Sequence, residues 1–254
     1  MIGSEYFALL AGYAVALAGW LLLARMTPGL WPSPPRPAFQ HPWREVGWAL
    51  LAVVLVLGIG QLYSAKLLFS AAGKGGVLLE TLNQVLIFLP LPLLLVVRRQ
   101  PLSTAWLPTT RVWLRLLAGL GLALLSILVY TLLRANSDSW LTVISRTYHP
   151  RNLPHLVQVL LEDLGIAIIF VRFASALGSR RTVLIVAVLF ALAHIPAMLS
   201  GGATVGSFAH LILDVGLAVG ILSVLQRSGD IWWFWMVHFA MDMMQFYAVP
   251  VPVS

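Results

Sequence analysis

The chain of 254 residues contains no cysteine and very few charges: Asp and Glu together number nine, and all charged residues make up 10%. The missing thiols exclude disulfides, thiolate metal sites and a cysteine nucleophile. The scarcity of charge excludes an ordinary soluble domain, in which about a quarter of the residues are charged. The 16 Lys and Arg give a net charge of +7, but they are scattered between apolar stretches and form no long basic run, which argues against a nucleic-acid partner. What the sequence does have is apolar surface: 60% of residues are hydrophobic and the mean hydropathy is +0.91. This is the composition of an all-α, polytopic integral membrane protein.

A span needs about 20 apolar residues, and eight stretches qualify, near 5–24, 46–70, 77–97, 112–133, 154–175, 182–199, 206–226 and 231–249. No basic segment precedes the first, and it is too long for a signal-peptide core, so it is expected to be a retained span. The segment Trp31 to Pro37 has four prolines in seven residues and must be a stiff extended loop. A second break, from Arg134 to Pro154, carries an apolar stripe around Trp140, Leu141 and Ile144 and is expected to lie in the interface or dip into the bilayer. The organisation is therefore N-terminal helices over 1–133, a connection over 134–153, and a four-span core over 154–254. With eight spans, 11 basic residues fall on one side and 5 on the other, together the 16 of the chain. The positive-inside rule then puts both termini outside the cytoplasm, in a membrane of the bacterial inner type. Trp232, Trp233 and Trp235 open the last span as expected interface anchors. Gly216 and Gly220 offer a neighbouring helix close approach.

The polar residues are unevenly placed. Glu162, Asp163, His194, His210, Asp214, His238 and Asp242 all fall inside apolar stretches of the last 100 residues. An ionisable group in hydrocarbon costs about 3 kcal/mol or more, so each needs a partner or a function. Alternating span directions bring Glu162, His194, His210, Asp214, His238 and Asp242 to one leaflet, as a single buried site requires. The pairs His210/Asp214 and His238/Asp242 are four residues apart, so each shares a helical face and can meet. Phe190 and His194 share a face in the same way. A carboxylate beside an imidazole fixes its tautomer and raises its basicity, which suits general-base work or metal ligation. Glu162 and Asp163 are about 100° apart around a helix, so one is expected to act and the other to support it. His41, His149 and His155 lie near prolines in loops or at span ends and are expected to be solvated. The cluster Met236, Met241, Met243 and Met244 reads as adaptable packing.

An acidic pair, then FALAH from Phe190 to His194, then HFAMD from His238 to Asp242, resembles the CAAX prenyl protease and bacteriocin-processing (CPBP, Abi) family of intramembrane endopeptidases. That family has a Glu-Glu-x-x-x-Arg motif, a Phe-x-x-x-His motif and a His-x-x-x-Asn or Asp motif on successive core helices. The resemblance covers about residues 155–248. It implies Glu162 as the general base for a water, His194 and His238 as the site histidines, and Asp242 as the residue that helps hold the water or the developing oxyanion. Asp163, His210, Asp214 and Phe190 would support them. The substrate would be a membrane peptide or a prenylated protein. A zinc ion, if one takes part, would use His194, His238 and Glu162. The first motif departs from the family: its second acid is Asp163, and its arginine position is Ala167. That substitution favours an alternative, a catalytically inactive member serving as scaffold or assembly subunit of a membrane complex. Histidine ligation of a haem or pigment, and proton-coupled transport, are further alternatives.

Overall fold

In the computed structural model, the described residues are 4–32, 39–71, 73, 75–134, 140–193, 195, 198 and 210–248. They form ten α-helices: α1 (Ser4–Met26), α2 (Pro42–Ser64), α3 (Gly76–Phe88), α4 (Pro90–Val97), α5 (Val112–Arg134), α6 (Trp140–Thr147), α7 (Leu153–Leu177), α8 (Ser179–Ala193), α9 (His210–Ser228) and α10 (Ile231–Ala248). No strand occurs among the described residues, and the protein is an all-α, multi-pass membrane protein. The helices α1, α2, α5 and α9 are each long and apolar enough to cross a bilayer, and α3 with α4 would make a fifth span. The expected spans at 154–175 and 231–249 coincide with α7 and α10, and that at 182–199 begins as α8; these three are outside the set that meets the length and composition test.

The stretch read as one span over 77–97 is broken. Pro90 has no N–H and its ring crowds the carbonyl four residues back, so α3 and α4 meet at a bend of 51°. The same chemistry opens helices elsewhere: prolines occupy the first turn of α2, α4 and α7, where an N–H would have no intrahelical acceptor.

Helix α7 is the hub, packed against α2, α3, α8, α10 and the 3-10 turn Leu102–Ala105. A second layer is made by α1, α5 and α10, whose contacts are the most extensive in the fold. They approach closely through glycines. A methyl group added at Gly119 of α5 would come within 2.4 Å of the Trp233 carbonyl oxygen and 2.6 Å of its Cα, both backbone atoms of α10. Gly119→Ala is therefore expected to destabilise the protein by about 1–3 kcal/mol, read as a lower thermal midpoint in detergent. A wild-type midpoint would show that α5 and α10 are not held this close.

Two expectations from the sequence are corrected here. Trp233 is not an interface anchor: it is fully buried, stacked on Trp20 with ring centroids 5.4 Å apart. Its neighbours Trp232 and Trp235 donate their indole N–H groups to the carbonyls of Pro108 and Leu156. Gly216 and Gly220 do not serve a close approach, since a methyl group at either would meet nothing within 4 Å among the described residues. The tight contact lies instead at Gly12, Gly19 and Gly119, where neighbouring helices and side chains press on the backbone. The methionines behave as expected, with Met241, Met243 and Met244 buried in the core. Of the connection at 134–153, α6 buries Val143 and Thr147 and exposes Leu141.

Candidate functional site

Helix α7 presents His155, Gln158, Glu162 and Ile166 along one stripe, at offsets of 3, 7 and 11 residues. Helix α10 presents Phe234, His238, Asp242 and Gln245 in the same manner. The two stripes face a cavity of about 570 Å³. Tyr6 and Tyr13 of α1, Tyr130 of α5 and Phe190 of α8 also line it, and Asp214 with the apolar residues Leu217, Ile221 and Leu225 lines it from α9. The side made by α7 and α10 is thus polar, and the side made by α9 is apolar apart from Asp214.

Two cross-helix pairs tie α7 to α10. His238 Nδ1 lies 2.8 Å from Asp163 Oδ1, and His155 Nε2 lies 2.6 Å from Asp242 Oδ2. Each helix gives one imidazole and one carboxylate. Asp163 is buried, 2% exposed, and as a carboxylate it can only accept, so His238 Nδ1 is the donor. That leaves Nε2 as the nitrogen of His238 able to serve the cavity. Phe234 stacks on the His238 ring at 5.4 Å and helps fix its plane. Glu162 Oε1 accepts from Gln158 Nε2 at 2.8 Å, one turn back along α7, which aims its carboxylate along the cavity wall. Asp214 Oδ1 accepts from Tyr6 OH at 3.1 Å, joining α9 to α1.

Of the residues singled out from the sequence, Glu162, Phe190, Asp214, His238 and Asp242 line this one cavity, and Asp163 holds His238 from behind. His194 lies outside the described residues. His210 opens α9, but its side chain lies outside what is described. The pairs that form across the helices are His238 with Asp163 and Asp242 with His155. Two residues four apart on one face of α10 both point at α7, so each finds its partner across the helix interface. His155 is a correction. It lies at a span end, in the first turn of α7, but instead of being solvated it lines the cavity. The sequence signal for it was its seven-residue offset from Glu162. Gln158, Tyr6, Tyr13, Tyr130 and Gln245 were also missed.

Ala167, which stands where the motif resembled by the sequence has arginine, is fully buried. Arg172 does not replace that arginine at the cavity. It is 0% exposed and donates to the carbonyls of Ile168 and Thr104 and to the Gln100 side chain. Gln100 in turn donates to Glu45, which also holds Arg98 at 2.6 Å. Among the described residues, no three His, Asp or Glu side chains are arranged to hold a metal ion. The described members of the expected zinc set, His238 and Glu162, are engaged by Asp163 and Gln158.

A family model, described as type II CAAX prenyl endopeptidase Rce1-like, matches residues 153–244. The matched segment runs from the start of α7 into α10 and so contains Glu162, Asp163, His238 and Asp242. No curated protein and no solved structure matches the chain.

Proposed function

The chain carries an Rce1-like domain over residues 153–244, and on that premise we propose that it is an intramembrane endopeptidase, hydrolysing a peptide bond at a polar site within the bilayer. The observation that carries this reading is the convergence of Glu162, His238 and Asp242 on one cavity, with His238 oriented by the buried Asp163. Glu162 is the general base. It takes a proton from a water whose oxygen attacks the scissile carbonyl carbon. His238 accepts a hydrogen bond from that water through Nε2 and holds it in line, its tautomer fixed by Asp163. The apolar face contributed by α9 gives a membrane peptide, or a lipid-modified one, a surface to lie against while the polar face does the chemistry.

The test is purified protein in proteoliposomes with an internally quenched peptide that carries an S-farnesyl cysteine near its C-terminus, and with a transmembrane reporter peptide. Wild-type protein is expected to cut at least one of them. Glu162→Gln keeps the shape and removes the base, and should lower the rate by about 10²–10⁴-fold. Undiminished cleavage by Glu162→Gln, or no cleavage of either peptide by the wild type, overturns the reading.

A second reading is favoured by one specific observation. The arginine expected beside the acids is absent at Ala167, and Arg172 is committed elsewhere. On this reading the protein is an inactive family member that assembles a membrane complex. Stoichiometric copurification of a membrane partner, unchanged in Glu162→Gln and without proteolysis, would favour it.

A further inference from the structure

The endopeptidase reading leaves one half of the site without a role. Amide hydrolysis needs a base for the water and also a proton for the departing nitrogen, because an amide anion is too basic a leaving group to depart unaided. Glu162 and the Asp163–His238 pair make the basic half. The second cross-helix pair, His155 with Asp242, lies in the same cavity one turn further along α10, about 6 Å from His238 by helix rise. A bare carboxylate at Asp242 would repel the negative charge that grows on the substrate. With an imidazole nitrogen 2.6 Å from its oxygen, Asp242 is instead one end of an ion-pair contact, in which a proton on His155 offsets the carboxylate charge. The side chains of His155 and Asp242 are 18% and 25% exposed, and both line the cavity.

We propose that the His155–Asp242 pair is the proton donor of the site, delivering its proton to the leaving amine as the C–N bond breaks. The inference rests on the endopeptidase reading and adds to it a residue outside all three motifs that suggested that reading. The step balances. Glu162 takes one proton from water, the water oxygen bonds to the carbonyl carbon, the C–N electron pair goes to nitrogen, and nitrogen takes the proton of the pair. The proton on Glu162 then returns to the pair, so the net reaction consumes one water and gives a carboxylic acid and an amine.

The experiment compares each farnesyl-cysteine or transmembrane peptide that the wild type cuts with an analogue in which the scissile amide is an ester of an acidic phenol, whose oxygen leaves without being protonated. His155→Ala and Asp242→Asn are expected to lower kcat for the amide by about 10²-fold at unchanged KM, to lower it for the ester by less than about tenfold, and in combination to be no worse than either alone. Equal losses on amide and ester, a change in KM only, or additive losses overturn the proposal while leaving the endopeptidase reading in place. A wild type that cuts neither amide nor ester overturns the reading beneath it. Asp242→Asn is nearly isosteric, and a second measurement needs no variant at all. Across a series of anilide leaving groups the wild-type rate should depend only weakly on leaving-group basicity. A steep dependence would show that nitrogen leaves unprotonated and would overturn the donor role.

Discussion

Asp163→Asn is expected to lower turnover by about 10³–10⁴-fold while the protein stays folded and KM changes little. Asp163 never reaches the cavity wall; it acts through His238. As a carboxylate it accepts from Nδ1 at 2.8 Å and so forces Nε2 to be the nitrogen that offers a lone pair to the water. An asparagine in the same place keeps the shape but can donate its own N–H to Nδ1, which moves the ring proton to Nε2 and presents a donor where an acceptor is needed. Enforcing the wrong tautomer in an Asp–His pair costs about 10⁴ in turnover. The loss should appear in kcat rather than KM, because the interaction lost is made by the reacting water and not by the bound peptide. Selectively ¹⁵N-labelled histidine would report the tautomer directly. Activity within tenfold of wild type, with the ring proton still on Nδ1, would show that Asp163 does not orient His238.

The site was partly legible in the sequence because membranes penalise polar groups. Glu162, Asp163, Asp214, His238 and Asp242 could be picked out by their cost alone, and each has a protein partner in the structure. The partners were less legible. Helical spacing gives which residues share a face, but not which helix that face meets, and His238 and Asp242 both reach across to α7. His155 was hidden for a different reason. A histidine next to Pro154 reads as a solvated residue of a loop or span end, although proline in the first turn is where a helix tolerates it, and that turn places His155 beside the cavity.

The fold shows the same division. The helical, membrane-embedded character follows from composition, and the breaks at prolines follow from the missing N–H. The association of α1, α5 and α10 does not follow, because apolar helices in lipid carry no amphipathic stripe to say which side faces protein. Only small residues mark such contacts, and among the described residues the close approaches fall at Gly12, Gly19 and Gly119 rather than at Gly216 and Gly220. Nor did the proline-rich stretch near residue 31 announce that Trp31 would be buried and bonded to an acid about 200 positions away.

That acid carries the largest expected effect on stability. Asp230 precedes α10, is 0% exposed, and uses both carboxylate oxygens. Oδ1 accepts from the Trp232 backbone N–H at 2.8 Å and caps the helix that bears His238 and Asp242. Oδ2 accepts from Arg115 at 2.6 Å and from the Trp31 indole at 2.8 Å, binding α5 and the connection after α1 to the same point. Removing one partner of a buried ion pair costs about 3–5 kcal/mol, chiefly because the other charge is left without compensation. Asp230→Ala should therefore lose at least that much, since the helix cap, worth about 0.5–2 kcal/mol, goes with it. The measurement is unfolding of the purified protein in mixed micelles by increasing denaturing detergent. If the cost lies in the stranded guanidinium, replacing Arg115 by Met in the Asp230→Ala background should restore at least about 1–3 kcal/mol, the desolvation penalty of an unsatisfied buried donor, which is larger for a charged one. A double variant no more stable than the single one would place the cost in the lost cap and indole contact instead. A single variant within 1 kcal/mol of wild type would show that this junction does not hold α10 against α5, and the positions of His238 and Asp242 would then have to be secured by their partners on α7 alone.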